Sequence, residues 1–197
     1  ETISSVVAVK EFSDDRFLVF CTKQGLIKKT RLTAYSNPRK AGIIAISLSG
    51  DDKVVGVGLT DGKYDILLAT RLGKIVRFRE NQVRDMGRSA KGVRGIHLAG
   101  GDEVVGMNVL PQEAAKMKFC VLTVTSLGFA KRTDLQEYRI QSRGGKGIIN
   151  VKVTKNNGYV AGVETLKEED EIMTVTQQGM IVRCPVTVSY THLTLPT

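Results

Sequence analysis

Hydrophobic and polar positions follow one another along this chain in short runs, and the same arrangement of runs recurs four times. Each copy has an apolar, β-branched stretch, then a turn glycine, then a second stretch that closes with basic residues. The turn glycines lie 48, 55 and 51 residues apart, at Gly25, Gly73, Gly128 and Gly179. Short Val/Ile/Thr runs bounded by Gly and Asp are typical of β-strands, and no stretch keeps a helical period over several turns. The pattern predicts an all-β protein built from about four repeats of roughly 50 residues.

Two further elements recur inside the repeats. A loop rich in glycine and basic residues leads into an apolar strand at 39–44, 91–96 and 146–149. A final strand with a central glycine follows at 54–57, 104–107 and 159–163. We therefore expect four short strands in each repeat, arranged as a tight hairpin and a second strand pair that an Asp- or Gly-containing turn joins. A period of this length lies in the range of propeller blades, so we expect a propeller-like array.

The two ends of the chain do not coincide with repeat boundaries. Residues 6–9 resemble the last strand of a repeat whose earlier strands are missing, and the fourth repeat stops after its hairpin. We expect the repeat domain to cover 1–187, with an incomplete first and last repeat and with repeats that begin near residues 16, 64, 118 and 170. Residues 188–197 continue nothing in the pattern, and we interpret them as a disordered or non-native tail. The chain is thus expected to be a fragment of a longer array.

Composition excludes several classes of protein. Of the 197 residues, 42% are hydrophobic, which is enough for a core. No apolar run approaches the length of about 18 residues that a membrane-spanning helix needs. The three cysteines are odd in number and widely spaced, which does not fit a disulfide framework and favours a reduced cytoplasm. With 29 Lys and Arg against 20 Asp and Glu, the net charge is +9. This excess favours a polyanionic partner.

The positive charge returns at two fixed places in the repeats, the strand after each turn glycine and the loop that follows. Stacked blades would place equivalent residues on one basic rim, which suits duplex DNA with its one negative charge per about 1.7 Å of axis. The alternative is that these residues protect strand edges and keep the protein soluble. The candidate DNA-binding residues are Lys28, Lys29, Lys74, Arg77, Lys131 and Arg132 on the strands, and Arg39, Lys40, Arg88 and Lys91 in the loops.

The sharpest local motif is the loop 141–147, with the sequence Gln-Ser-Arg-Gly-Gly-Lys-Gly. Glycines let the backbone approach a phosphate closely and present N–H donors, while Arg and Lys supply charge. The spacing is not that of a P-loop. From the residues alone, an anion site and a tight loop between strands that merely needs glycines are equally good interpretations.

The titratable residues do not form a convincing catalytic or metal site. His97 and His192 have no acidic or cysteine partner at metal-ligand spacing, and they supply no nucleophilic triad. We therefore expect no catalytic site, no metal and no cofactor in this chain. Tyr35 and Tyr138 occupy matching positions before the basic loops, where we expect them to pack at blade edges.

The repeat sequences resemble the C-terminal domain of bacterial DNA gyrase A. The phrases that carry the resemblance are 73–78, 91–96, 128–133, 137–147, 148–153 and 172–179, and it covers about 1–187. It implies a β-pinwheel, which is a propeller-like ring of four-stranded blades whose neighbours exchange strands. It also implies that duplex DNA wraps around the basic rim in support of ATP-driven negative supercoiling by a type IIA topoisomerase. The implied partners are DNA, the rest of gyrase A, and gyrase B, at the bacterial nucleoid in the cytoplasm, with the active sites, ATP and Mg²⁺ located elsewhere in that enzyme.

The family's signature box reads Gln-Arg-Arg-Gly-Gly-Lys-Gly, and the loop 141–147 departs from it only where Ser142 replaces the first Arg. The resemblance carries over as candidate DNA-contacting residues Gln141, Arg143, Gly144, Gly145, Lys146 and Gly147. The surrounding sequence resembles a later blade, so we interpret this loop as a degenerate second copy, with the principal box upstream of Glu1. The equivalent domain of topoisomerase IV and a propeller-like protein-interaction module are the alternatives.

Overall fold

The computed structural model describes residues 3–176 and 178–186, and our interpretation of 188–197 as a tail lies outside them. Within them the fold is all-β, as predicted, and its only helical elements are short 3₁₀ turns. The strands are β1 (Phe17–Thr22), β2 (Leu26–Arg31), β3 (Val54–Thr60), β4 (Tyr64–Thr70), β5 (Lys74–Arg79), β6 (Val93–Arg94), β7 (Val104–Pro111), β8 (Cys120–Thr125), β9 (Ala130–Asp134), β10 (Ile148–Ile149), β11 (Val160–Leu166), β12 (Glu171–Val175) and β13 (Ile181–Pro185). The 3₁₀ turns are Leu32–Tyr35, Glu80–Gln82, Ala114–Met117 and Leu135–Glu137.

The four predicted hairpins form, as β1–β2, β4–β5, β8–β9 and β12–β13. Each turn glycine has a positive φ, between 78° at Gly25 and 84° at Gly179, which a residue with a Cβ adopts only under strain. In three of the turns, the hydroxyl of a threonine three residues before the glycine accepts a hydrogen bond from the backbone N–H of the residue after the glycine. Thr22 Oγ1, for example, accepts from the Leu26 N–H at 3.2 Å.

The predicted second strand pair within each repeat is wrong. The final strand returns to its own hairpin and pairs with the hairpin's first strand, whose free side we call the inner edge. In this way β3 pairs with β1, β7 with β4 and β11 with β8. The short third strand instead crosses to the preceding hairpin and pairs with the free side of its second strand, which we call the outer edge. There β6 pairs with β2 and β10 pairs with β5. The hairpin's inner edge is already occupied, so the open outer edge of the neighbour is what the third strand can pair with. This exchange confirms what the resemblance implied.

Glycines make the crossing sterically feasible. A Cβ added at Gly92 would lie 2.6 Å from the carbonyl oxygen of Ile27, and one at Gly147 would lie 2.6 Å from that of Ile75. Both residues also have positive φ, of 98° and 69°. The glycine that opens each exchanged strand is therefore required by close approach to the preceding repeat's backbone.

The core lies between successive sheets. One cluster of buried side chains joins the first two repeats, with Val19 and Ile27 packed near Ile66 and Phe78. A second cluster joins the second and third repeats in the same way. The inner strands approach closely, because a Cβ at Gly58 on β3 would lie 2.8 Å from a Val109 methyl on β7. The sheet of the second repeat, which contributes residues to both clusters, is thus buried on both faces.

The first repeat differs at the position of the exchanged strand. Residues 43–44 correspond to β6 and β10 but form no strand, and Ile44 is 71% exposed. Residues 6–9, which resemble a final strand in sequence, also form none. Among the described residues, the third hairpin lies in a three-stranded sheet and the fourth hairpin forms a sheet of two strands.

Candidate nucleic-acid interface

The basic loops lie along the outer strand of the preceding repeat. The Met86 N–H donates to the Lys29 carbonyl at 2.8 Å, and the Gln141 N–H donates to the Arg77 carbonyl at 2.7 Å. These bonds belong to parallel bridges, between Lys29 and Asp85 and between Arg77 and Ile140. The same local geometry therefore places the loops of the second and third repeats at the same edge of the fold.

Hydrogen bonds also join each loop to the next one. Ser47 Oγ donates to the Ser89 carbonyl at 2.6 Å, which connects the loops of the first and second repeats. The Gly144 N–H donates to the Gly95 carbonyl at 2.7 Å, and the His97 N–H donates to the Gly145 carbonyl at 2.9 Å, which connects the second and third. The loops 39–47, 84–97 and 139–147 thus form one continuous surface, which we call the basic edge.

Several of the candidate residues are exposed on the basic edge, as expected for a rim. They are Arg39, Lys40, Arg88, Lys91 and Lys146. Three further exposed arginines lie on the same edge: Arg84 and Arg139, which belong to the loop charges that recur in the sequence, and Arg94. Arg94 lies on the exchanged strand β6, two residues after Gly92. The alternation of the strand from an inward Val93 could have identified it.

The expectation of an exposed rim is wrong for Lys28, Lys29 and Arg77, which are buried. Their strands are covered on both faces, so the side chains meet protein instead of solvent. The Arg77 guanidinium donates from Nε and Nη2 to Asp65 Oδ2 at 2.9 and 2.7 Å, and Nη1 donates to the Leu135 carbonyl at 3.1 Å. Buried charges require such partners, so Arg77 joins two repeats.

Lys29 is paired with two carboxylates in the same way. Its Nζ lies 3.4 Å from Asp85 Oδ1 and 4.0 Å from Glu80 Oε1. Glu80 is itself buried and accepts a hydrogen bond from the Thr60 hydroxyl at 2.6 Å. Burial raises the pKa of Glu80, and that hydrogen bond and the Lys29 charge oppose the rise.

Lys28 is fully buried and holds two loops. Its Nζ donates to the Ala45 carbonyl at 2.6 Å and also to the Arg88 carbonyl. Burial lowers the pKa of the Lys28 ammonium to about 8, and the positive charge of Arg88 acts in the same direction. Tyr35 reinforces the contact, since its hydroxyl donates to the Ala45 carbonyl at 3.1 Å.

The remaining strand candidates lie between these extremes. Lys131 is exposed and its Nζ donates to the Asn150 carbonyl at 2.9 Å, while Arg132 is half-buried and donates to the Val186 carbonyl at 3.1 Å. Lys74 is half-buried. Tyr138 is buried and its hydroxyl donates to Asn150 Oδ1 at 2.6 Å, so it packs inside the junction instead of lining the surface.

Within the loop 141–147, the side chains have different surroundings. Arg143 is half-buried, and its guanidinium donates from Nε to the Gln82 carbonyl at 3.0 Å and from Nη1 to the Arg94 carbonyl at 2.6 Å. Gly144 has a φ of 78°, and Gly145 donates its N–H to the Ser142 carbonyl at 3.3 Å. Lys146 extends into solvent. The glycines and Arg143 thus build the junction between repeats, and Lys146 presents charge at its surface.

A groove of about 460 Å³ opens between the loops of the first two repeats. It is lined by Arg39, Gly42, Ile43, Ile44, Arg88 and Ser89. Across the described part of the chain, no group of three or more His, Cys, Asp or Glu is arranged to hold a metal ion, and Cys21, Cys120 and Cys184 are free thiols. His192 lies outside the described residues. No helix of the described part has the length and apolar character needed to cross a membrane.

Comparison with known proteins identifies relatives of this chain. A family model described as the DNA gyrase C-terminal domain, beta-propeller, matches residues 16–61, 64–111, 121–167 and 170–187. The chain is 44% identical to DNA gyrase A of Salmonella typhimurium and 43% identical to that of Staphylococcus epidermidis. Each match covers 94% of this chain and 21% of the relative, so the chain spans about a fifth of those proteins.

Solved structures show the same fold. The C-terminal domain of DNA topoisomerase IV superposes with a TM-score of 0.83 at 28% identity, over 90% of this chain and 55% of that one. The DNA gyrase A C-terminal domain superposes with a TM-score of 0.77 at 27% identity, over 89% of this chain and 57% of that one.

Proposed function

The chain belongs to the family of DNA gyrase C-terminal β-propeller domains, and from that premise we propose that it binds duplex DNA along its basic edge. One observation carries the proposal: the loops of three successive repeats are joined by hydrogen bonds and present exposed Arg and Lys side chains together. A row of positive charge that advances blade by blade suits a polymer whose phosphates are evenly spaced.

The contacts we propose are to phosphates and carry little sequence preference. Base reading in the major groove requires a protruding helix or ribbon, and the helical elements of the described residues are short 3₁₀ turns within the fold. Exposed Arg and Lys on loops instead suit the DNA backbone.

We further propose that the duplex bends around the basic edge and that this wrapping serves ATP-dependent negative supercoiling by a type IIA topoisomerase. In this proposal the chain is the C-terminal module of gyrase A and works in the bacterial cytoplasm with the rest of gyrase A and with gyrase B. The cleavage and ATPase sites, with ATP and Mg²⁺, belong to those other parts. The support is the identity of 43–44% to gyrase A proteins over 94% of the chain.

The equivalent module of topoisomerase IV is the second candidate, because a topoisomerase IV domain superposes with the higher TM-score of the two structures compared. The identities of the curated relatives favour gyrase. A protein-interaction role is the remaining alternative. A pull-down with and without nuclease treatment separates it, since partners held through DNA are lost after digestion.

Binding is tested by fluorescence anisotropy of a labelled duplex over a range of salt concentrations. If about six phosphates are neutralised, the logarithm of the association constant falls with the logarithm of the salt concentration with a slope near −5. A slope near zero would overturn the proposal. Wrapping is tested on a plasmid that a type I topoisomerase relaxes in the presence of the protein. A changed linking number after removal of protein supports wrapping, and an unchanged one removes wrapping from the proposal.

A further inference from the structure

The arginines at one repeated position of the basic loops have different surroundings. Gly92 and Gly147 each open an exchanged strand, and counting back four residues from them gives Arg88 and Arg143. These two arginines therefore hold equivalent positions at successive junctions between repeats.

At the junction between the second and third repeats, the arginine makes hydrogen bonds to the preceding repeat. The guanidinium of Arg143 donates to the carbonyls of Gln82 and Arg94, both of which belong to the second repeat. Three carbonyl and amide groups of that repeat converge on Arg143, because its N–H also donates to Gln82 Oε1 at 2.7 Å. Arg143 is thus committed to holding protein together.

At the earlier junction the corresponding space is open. Arg94 lies two residues after Gly92, and the residue two after Gly42 is Ile44, which lines the groove of about 460 Å³. Arg88 lines the same groove, with Arg39 from the loop of the first repeat. Within residues 3–176 and 178–186, neither guanidinium makes a hydrogen bond or an ion pair with protein. Two uncommitted cations from different repeats therefore share one concave site.

Hydrogen bonds from a buried lysine fix the positions of the two loops that form this site. Lys28 Nζ donates to one carbonyl in each of the two loops, those of Ala45 and Arg88. Ser47 and Ser89 join the same loops by a hydrogen bond of 2.6 Å. The loops are therefore held at a set separation before any ligand arrives. Such preorganisation reduces the cost of ordering on binding.

We infer that the groove between the first two basic loops is a phosphate-binding subsite, in which Arg39 and Arg88 hold one phosphate and Lys28 positions both loops. Guanidinium groups offer planar, two-pronged donors that match phosphate oxygens. The groove is within the size range of ligand clefts. The source of the phosphate is taken to be the DNA backbone, and to that extent the inference rests on the proposed function.

The test compares two double variants of equal charge. Arg39→Gln with Arg88→Gln removes the two groove cations, and Lys53→Gln with Lys63→Gln removes two exposed cations outside the groove. Binding of a short duplex is measured by anisotropy at several salt concentrations. We expect the groove variant to bind about tenfold more weakly than the control variant, since it loses charge-assisted hydrogen bonds as well as charge. Its salt slope is expected to be about one smaller in magnitude than that of the control.

A conservative variant separates geometry from charge. Arg88→Lys keeps the cation but replaces the fork with a point charge. We expect an affinity between those of the unaltered chain and an Arg88→Gln variant, with the salt slope unchanged. An affinity for Arg88→Lys equal to that of Arg88→Gln at every salt concentration would contradict a site based on phosphate charge.

A second probe identifies the source of the phosphate. Inorganic phosphate is added to the isotope-labelled chain, and backbone amide signals of 39–44 and 88–89 are followed by NMR. If the unaltered chain binds DNA but the two double variants bind alike, the subsite is overturned while the proposed function stands. If DNA fails to bind but inorganic phosphate shifts these signals, the proposed function falls and the groove is a site for free phosphate. If neither binds, both fall.

Discussion

The guanidinium of Arg77 and the carboxylate of Asp65 form a buried ion pair on adjacent strands of one hairpin, with Nη2 and Oδ2 2.7 Å apart. Arg183 and Glu171 have the same strand relationship in the fourth repeat and also form an ion pair, but there both side chains are largely exposed. The array therefore contains the same cross-strand ion pair once buried and once exposed, so the effect of burial on its contribution to stability can be measured within one protein.

Asp65→Asn is expected to destabilise the chain by about 3–5 kcal/mol, because it leaves the Arg77 charge buried without its counter-ion. Glu171→Gln, the matched control at the exposed pair, is expected to cost about 0–1 kcal/mol. The free energy of unfolding is measured by urea denaturation. Equal losses in the two variants would show that burial does not determine the contribution of the pair.

Gly147→Ala is expected to lower the free energy of unfolding more than Gly42→Ala does. Both positions have positive φ, of 69° and 78°, so both substitutions carry a left-handed strain of about 1–2 kcal/mol. Only at Gly147 does the new Cβ also meet a carbonyl oxygen at 2.6 Å, whereas nothing lies within 4 Å at Gly42. Urea denaturation of both variants measures the difference. A Gly42→Ala loss equal to that of Gly147→Ala would mean that the backbone approach at Ile75 is not limiting.

The hairpins were predictable from the sequence because their signals are local. A turn glycine between two apolar runs determines both strands and their register. The destination of the third strand was not predictable, since residues such as Val93 and Ile148 would suit any open edge. Which edge is open depends on the final strand, which occupies the inner edge of its own hairpin.

The basic loops were predictable as surface, but the strand cations were not. A sheet that faces solvent on one side exposes alternate residues, whereas the strands β2 and β5 are covered on both faces. Lys28 and Lys29 are consecutive and point to opposite faces, and yet both are buried. A signal was available at Asp65, because a carboxylate inside the apolar strand 64–70 requires a buried cation such as Arg77.

Stability is expected to rise with pH between about 8 and the ordinary lysine range, through Lys28. Its pKa is about 8 in the folded chain and near 10.5 when unfolded, so over this interval the folded chain binds fewer protons than the unfolded one. Folding is therefore favoured as pH rises, and below about 8 the cost of burying the charge is fully present. The neutral amine can still donate to the carbonyls of Ala45 and Arg88.

The measurement for Lys28 is the difference in free energy of unfolding between the unaltered chain and Lys28→Met, from about pH 7 to about pH 11, the range that spans both pKa values. Taking the difference cancels the titration of groups that the two proteins share. We expect it to shift in favour of the unaltered chain above about pH 8. A difference that stays constant over this range would show that Lys28 titrates normally.

Lys146 and Arg143 lie three residues apart in one loop, and neutralising them is expected to change different properties. The Lys146 variant is expected to lose DNA affinity and the Arg143 variant to lose stability. Lys146→Gln removes an exposed charge on the basic edge, so it is expected to weaken DNA binding and to reduce the salt slope by about 1 without changing the free energy of unfolding. Arg143→Gln removes hydrogen bonds to the carbonyls of Gln82 and Arg94, so it is expected to cost about 1–3 kcal/mol of stability. Its effect on DNA affinity should not exceed that of Lys146→Gln. Anisotropy and urea denaturation on the same two variants decide the matter, and a stable Arg143→Gln with strongly weakened binding would make Arg143 a direct phosphate contact.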